Sequence, residues 1–166
     1  MFTLGVMVML TLVEIRGSVG HISEPDVSFP PARPSLANLH ALCTQGSGRP
    51  RFTSSVFAKS VPGYQRRRGS AVNRVEAWYS MCCAPGQAQE QALCCATQAW
   101  EYALNVFCND EYGVKDMPHK CCEQWEESRL TCFQSEAPNP AYLPTPGYTA
   151  PSIAVNLRFS WDPSTC

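Results

Sequence analysis

Residues 76–95 read EAWYSMCCAPGQAQEQALCC, and the two adjacent cysteine pairs in that stretch, Cys82-Cys83 and Cys94-Cys95, decide the fold. Neighbouring positions on an α-helix point about 100° apart, so vicinal thiols on a helix face different directions and are poorly placed to bond each other. Each half must find its partner elsewhere, and a helix carrying such a pair can be stapled to two other segments at once. A third pair, Cys121-Cys122, and the single residues Cys43, Cys108, Cys132 and Cys166 bring the total to 10 cysteines. Such a framework welds a small helical bundle together with little core, which is the chemistry of a scaffold rather than of an enzyme.

Around the pairs the apolar pattern is helical. Val75, Trp78, Tyr79 and Cys82 fall at i, i+3, i+4 and i+7 and predict an amphipathic helix over 71–83, ended by Ala84-Pro85-Gly86. A longer helix is expected over 88–108, with Leu93, Trp100, Leu104 and Phe107 as its buried stripe. A further helix over 119–131 carries Cys121, Cys122 and Trp125, with Glu123, Glu126 and Glu127 as an acidic face. Upstream, Ser35 is placed as an N-cap for a short helix through Leu36, Leu39, Leu42 and Cys43. The class is all-α, a small disulfide-stapled bundle.

The remaining stretches read as connections. Residues 44–70 mix Gly, Ser, Pro and Arg and are expected to be a long, exposed, basic loop, and residues 21–34 a Pro-rich extended leader. Pro138, Pro140, Pro144 and Pro146 forbid helix beyond the last element, so residues 143–166 read as a Pro-rich tail, with weak alternation over 152–159 as an added extended segment. The folded unit is thus expected over 35–142.

At the start, residues 2–13 form an apolar run too short for a membrane span, followed by small residues at 18–20, so residues 1–20 read as a signal peptide cleaved before His21. No Lys or Arg precedes that run, a departure from the usual signal. Secretion and cysteine usage agree, because disulfides persist in oxidising compartments. No membrane span and no Asn-x-Ser/Thr sequon occurs.

A net charge of −1 hides an asymmetry. Arg49, Arg51, Lys59, Arg66, Arg67, Arg68 and Arg74 fall in a stretch without acid, whereas 76–132 is acidic. Arg66-Arg67-Arg68 is a candidate contact for sulfated polysaccharide or an acidic protein surface, against the plainer reading of a solvated loop. Glu123, Glu126 and Glu127, with the turn at 109–115, form the other candidate contact surface.

Catalysis is not expected. His21, His40 and His119 lie in no recognisable nucleophile motif, and a cysteine nucleophile needs a thiolate kept out of disulfides. His119, Cys121 and Cys122 are close in sequence, but zinc sites usually space paired thiols by about two to four residues, and an oxidising compartment bridges these sulfurs. No metal, cofactor or nucleic-acid partner is expected. The aromatic stripe is read as core packing rather than a ligand pocket.

The spacing C…CC…C occurs twice, and it resembles the serum-albumin superfamily. The local sequences narrow the match: residues 99–122, AWEYALNVFCNDEYGVKDMPHKCC, and 132–142, CFQSEAPNPAY, resemble the repeats of the extracellular matrix protein 1 family, and 29–43, FPPARPSLANLHALC, resembles the segment that opens such a repeat. The family rule, in which the second cysteine of a pair bonds backward and the first forward, implies Cys43–Cys83, Cys82–Cys95, Cys108–Cys122 and Cys121–Cys132. Spacing alone does not select this from the roughly 105 pairings open to eight cysteines. Cys94 departs from the family motif and Cys166 has no partner in it, so the two either bond each other or leave a thiol for a disulfide-linked dimer; Cys166 also reads as the opening of a further repeat. The resemblance further implies a secreted, non-catalytic matrix glycoprotein that binds matrix proteins, proteoglycans and matrix metalloproteinases, with roles in bone mineralization and angiogenesis. A metalloproteinase inhibitor, or an albumin-like lipid carrier, is the alternative it leaves.

Overall fold

The computed structural model describes residues 26–111, 116–155 and 158–166, so the signal-peptide reading of 1–20 lies outside the described residues. Among them the structure is helical without strands: α1 (Leu39–Thr44), α2 (Gly63–Cys82), α3 (Gln89–Asp110), α4 (Met117–Cys122) and α5 (Glu126–Ser135), with 3₁₀ turns at Gly46–Gly48 and Pro163–Thr165.

Helices α2 and α3 form the frame. They run antiparallel, since Arg67 reaches Glu111 at 2.8 Å near one end, Trp78 stacks on Tyr102 at 5.4 Å, and Cys82 bonds Cys95 near the other. Their facing stripes, Val75, Trp78, Tyr79 and Cys82 against Cys95, Ala96, Ala99, Trp100, Ala103, Leu104 and Phe107, are buried. On α3 the buried alanines Ala96, Ala99 and Ala103 alternate with large residues, and Trp78 and Trp100 are fully buried among them. A buried aromatic of this size contributes several kcal/mol through area removed from water, about 25 cal/mol per Å².

Every cysteine is bonded, and each adjacent pair splits between two segments. Cys83 reaches back to Cys43 and Cys82 forward to Cys95; Cys122 reaches back to Cys108 and Cys121 forward to Cys132. Cys94 bonds Cys166, which leaves no thiol for a bridge between chains. That fifth staple follows the same rule, because Cys95 is the backward half of its pair and Cys94 the forward half. In the chain-entropy view a bridge between residues 11, 13 or 14 apart contributes about 3 kcal/mol.

The structure corrects four expectations. The helix expected over 119–131 is two helices with a break at 123–125. A straight helix would place residues 11 apart at about 16 Å, whereas Cys121 and Cys132 have Cα atoms 5.4 Å apart. The staple requires the chain to fold back, and Glu126 adopts a φ of 47° where it does so.

The second correction concerns 44–70, which is neither one loop nor wholly exposed: α2 begins at Gly63 and takes in all three consecutive arginines. Gly69 explains why the run of Gly and Arg is helical. A Cβ there would lie 2.4 Å from the Phe57 ring, so its absence lets Phe57 and Phe52 close on the helix, and Asn73 clamps the Phe52 backbone at 2.9 and 2.8 Å.

Third, Ser35 is not the helix cap; α1 starts after Asn38, whose side chain instead bonds Ser35 N at 2.8 Å and the carbonyls of Arg33 and Pro140. Fourth, the Pro-rich segments flanking the expected unit are not loose extensions of it: in the tail the Thr145 N–H bonds the Gly48 carbonyl at 2.8 Å. Tyr142 is 3% exposed and its hydroxyl bonds those of Tyr79, at 2.8 Å, and the Ala32 carbonyl. The described leader, without helix, is also core: Phe29 packs 4.4 Å from Phe107, and Trp100 donates to the Pro31 carbonyl at 2.8 Å.

Candidate interaction surfaces

Two of the three consecutive arginines are committed to ion pairs inside the molecule. Arg67 makes a bidentate pair with Glu111 at 3.0 and 2.8 Å, and Arg68 bonds Asp116 and lies over the Tyr64 ring. Arg66 is exposed. Consecutive helix positions diverge by about 100°, so the three charges do not form one patch. Arg67 and Arg68 dock α2 against the segment that links α3 to α4, of which residues 112–115 lie outside the described residues.

A second group of charges, unforeseen in the sequence, lies inside. Arg49 is 3% exposed and Glu76 6%, and they form a bidentate pair at 2.6 and 2.8 Å. Arg51 adds a bond to the same carboxylate at 3.0 Å. Arg49 also donates to the carbonyls of Ala41 and Leu42 at 3.0 and 2.9 Å, which satisfies the open C-terminal end of α1. Burial pulls the Arg51 guanidinium below its ordinary range, with Glu76 opposing. The cluster fixes α1, α2 and Tyr142 to one another. Its donors are spent on backbone and carboxylate, so it is a structural knot rather than a ligand site.

Beside it, a cleft lined by Pro30, Phe52, Val72 and Tyr142 has a volume of about 50 Å³. Sites for ligands of drug size run to about 300–1,000 Å³. A second cleft of about 290 Å³ lies against the knot, lined by Leu42, Cys43, Arg49, Arg51, Glu76 and Tyr79, so its walls carry the buried charges. The larger depression, about 530 Å³ between α4 and α5, is an open groove lined by Lys120, Gln124, Glu127, Ser128 and Thr131. Met117 and Cys132 also line it, but Lys120, Glu127 and Glu136 share the walls and the groove is open to solvent, so it encloses no acyl chain.

The acidic residues lie where α4 turns into α5. Glu123, Glu126 and Glu127 are all exposed. Glu127 pairs with Arg33 at 2.6 Å and Glu123 faces His119 at 3.4 Å. The His119 backbone N–H bonds the Asp116 side chain at 3.1 Å, which caps α4. Its neighbours Cys121 and Cys122 are in disulfides, and among the described residues no group of three or more His, Cys, Asp and Glu converges as metal ligands. Among the described residues no helix is long and apolar enough to cross a membrane.

The same turn displays Trp125, which is 80% exposed and stands beside those acids. The 3.6-residue period of a continuous helix concealed it, because its exposure follows from the break at 123–125 that the Cys121–Cys132 staple imposes.

Comparison with known families and proteins places these features in context. A family model described as Extracellular matrix protein 1 matches residues 15–165. Proteins of that name from Homo sapiens, Rattus norvegicus and Mus musculus are 36%, 37% and 36% identical over 89%, 79% and 79% of this chain. The chain spans about a quarter of their length, 27%, 23% and 23% respectively. No solved structure matches.

Proposed function

The chain belongs to the extracellular matrix protein 1 family, and on that premise we propose that it is a secreted, non-catalytic interaction module that binds other components of the extracellular matrix. The observation that carries this reading is the framework itself. Five disulfides, four of them between helices or their flanks within 43–132, hold a body in which every cysteine is spent on structure. A locked surface loses little entropy on binding, which favours a recognition role. The working unit is the repeat at 35–142 with the buried segment 26–34 that precedes it, and of the tail residues 143–155 and 158–166 lie against it.

The alternatives draw less support. A lipid carrier needs a roomy apolar interior; the apolar cleft holds about 50 Å³, and the cleft of about 290 Å³ is walled by Arg49, Arg51 and Glu76. A metalloproteinase inhibitor needs a projecting loop, and the long segment before α2 is partly taken up in helix and in the Arg49–Glu76 knot. Engagement of sulfated polysaccharide through Arg66, Arg67 and Arg68 is weakened by the ion pairs of the last two.

The test is saturable retention of the purified, oxidised protein on a reconstituted basement-membrane gel of laminin, type IV collagen and heparan sulfate proteoglycan. Retention that saturates and is abolished by prior reduction is expected. Absence of retention, or retention that rises linearly without saturation, contradicts the reading.

A further inference from the structure

Among the described residues Trp125 is the most exposed of the large apolar side chains, at 80%, ahead of Leu36 at 64% and Leu143 at 61%. It is also held in place. The turn that carries it lies between Cys122, bonded to Cys108 on α3, and α5, bonded through Cys132 to Cys121. Arg129 reaches back from α5 and donates to the carbonyls of Cys122 and Gln124 at 3.1 and 3.0 Å and to Asn105 Oδ1 at 3.1 Å. The Trp125 carbonyl accepts the Ser128 N–H at 3.1 Å. The next residue, Glu126, keeps its φ of 47° although it is not glycine, which surrounding structure must enforce.

An indole left in water forgoes a large burial energy, and here it is carried on a backbone turn pinned on both sides. Tryptophan is among the side chains that anchor protein interfaces, and fixing it beforehand lowers the entropy lost on association. On the same side Met117 is 41% exposed at the mouth of the groove between α4 and α5. The positive groups nearby are largely engaged: Arg33 on Glu127 and Glu101, and Arg129 on backbone, which leaves Lys120 on the α4 wall of the groove. Glu126 makes no ion pair among the described residues, and Glu123 faces only a histidine.

We propose that the Trp125 turn is a docking site for a folded protein partner that offers an apolar pocket bordered by lysine or arginine. The inference rests on the matrix-binding reading and gives it a surface. Charge selects the occupant. An anionic polysaccharide is repelled by Glu123 and Glu126, which have no arginine or lysine partner among the described residues, and a symmetric contact between two copies of this chain sets those carboxylates against one another. A basic rim on the partner accelerates encounter and fixes its orientation, while the indole supplies the affinity.

The probe is the same basement-membrane gel, with and without heparinase digestion, and the proteins are wild type, Trp125→Ala, Trp125→Phe and the triple variant Glu123→Gln, Glu126→Gln, Glu127→Gln. The expected result is at least about tenfold weaker retention for Trp125→Ala, partial recovery in Trp125→Phe, a smaller loss with a flattened salt dependence for the triple variant, and no effect of heparinase. Because the ring is exposed, Trp125→Ala keeps the wild-type Tm. Wild-type retention by Trp125→Ala overturns this site while leaving matrix binding intact, and loss of retention on heparinase digestion reassigns the partner to polysaccharide and overturns it too. A marked fall in the Tm of Trp125→Ala assigns the ring to folding and overturns it as well. Failure of the wild-type protein to be retained overturns the matrix-binding reading together with this one.

Discussion

The stretch from α1 to α5 and the strap at 143–166 are both closed by disulfides, and they depend on them differently. Between α1 and α5 the staples lie over a continuous core: Cys82, Cys95 and Cys121 are 0–1% exposed, and Trp78, Trp100, Leu104, Phe107 and Phe133 pack among them. The strap has one 3₁₀ turn, a few backbone bonds such as Thr145 to the Gly48 carbonyl at 2.8 Å, and half-buried Phe159 stacked 5.1 Å from Trp78. Its staple, Cys94–Cys166, includes the one exposed half-cystine. Where a bridge crosses a packed core, packing and bridge restrain the same degrees of freedom; where it crosses little, the bridge is most of the restraint.

The difference is sharpest in large-to-small substitutions. Trp100→Ala, at the centre of α3, is expected to lower stability by about 3–5 kcal/mol in denaturant titrations. Phe159→Ala, which removes a half-buried ring stacked on Trp78 and Tyr102 from the strap, is expected to cost about 1 kcal/mol. Equal losses from the two would remove the distinction. Glu76→Gln tests the body from its polar side. It leaves Arg49 and Arg51 buried without a carboxylate, and a loss of about 3 kcal/mol is expected. An unchanged midpoint would mean that the knot is dispensable.

Alkaline titration is a subtler probe of the same region. Burial raises the Tyr79 and Tyr142 phenols well above their ordinary value. Their neutral forms are therefore favoured in the folded state, so their contribution is fully present below pH about 10 and is lost as pH rises beyond it, when the unfolded chain ionises first. Tyr79→Phe, which removes one of the two coupled hydroxyls, is expected to make the fall in stability above pH about 10 shallower, without altering the plateau below it by more than about 1–2 kcal/mol. A slope identical to wild type would show that other groups set it.

The helical class was legible in the sequence because local period and cysteine pairing point the same way: Val75, Trp78, Tyr79 and Cys82 define a stripe whose last member needs a bond beyond its own helix. The partners of those cysteines were not legible from spacing and came from resemblance. Cys94 was within reach, since the rule that the forward half of a pair bonds downstream, applied to Cys94-Cys95, leaves Cys166 as its partner. What escaped is what long-range packing decides. Gly69 reads as a helix breaker until Phe57 is seen lying against it. Arg49 and Glu76, 27 residues apart, carry no local sign that they meet. The Trp125 turn was hidden inside an acceptable helical pattern and appears once Cys121 and Cys132 are joined.

Peptide mass spectrometry of the secreted protein, alkylated after graded exposure to dithiothreitol, bears on these points together. The expected map holds Cys43–Cys83, Cys82–Cys95, Cys94–Cys166, Cys108–Cys122 and Cys121–Cys132, with Cys94–Cys166 opening at the lowest reductant concentration because exchange requires access to sulfur. Free thiols at Cys82, Cys83, Cys121 and Cys122 in the untreated protein, or a bond within any adjacent pair, would contradict the account.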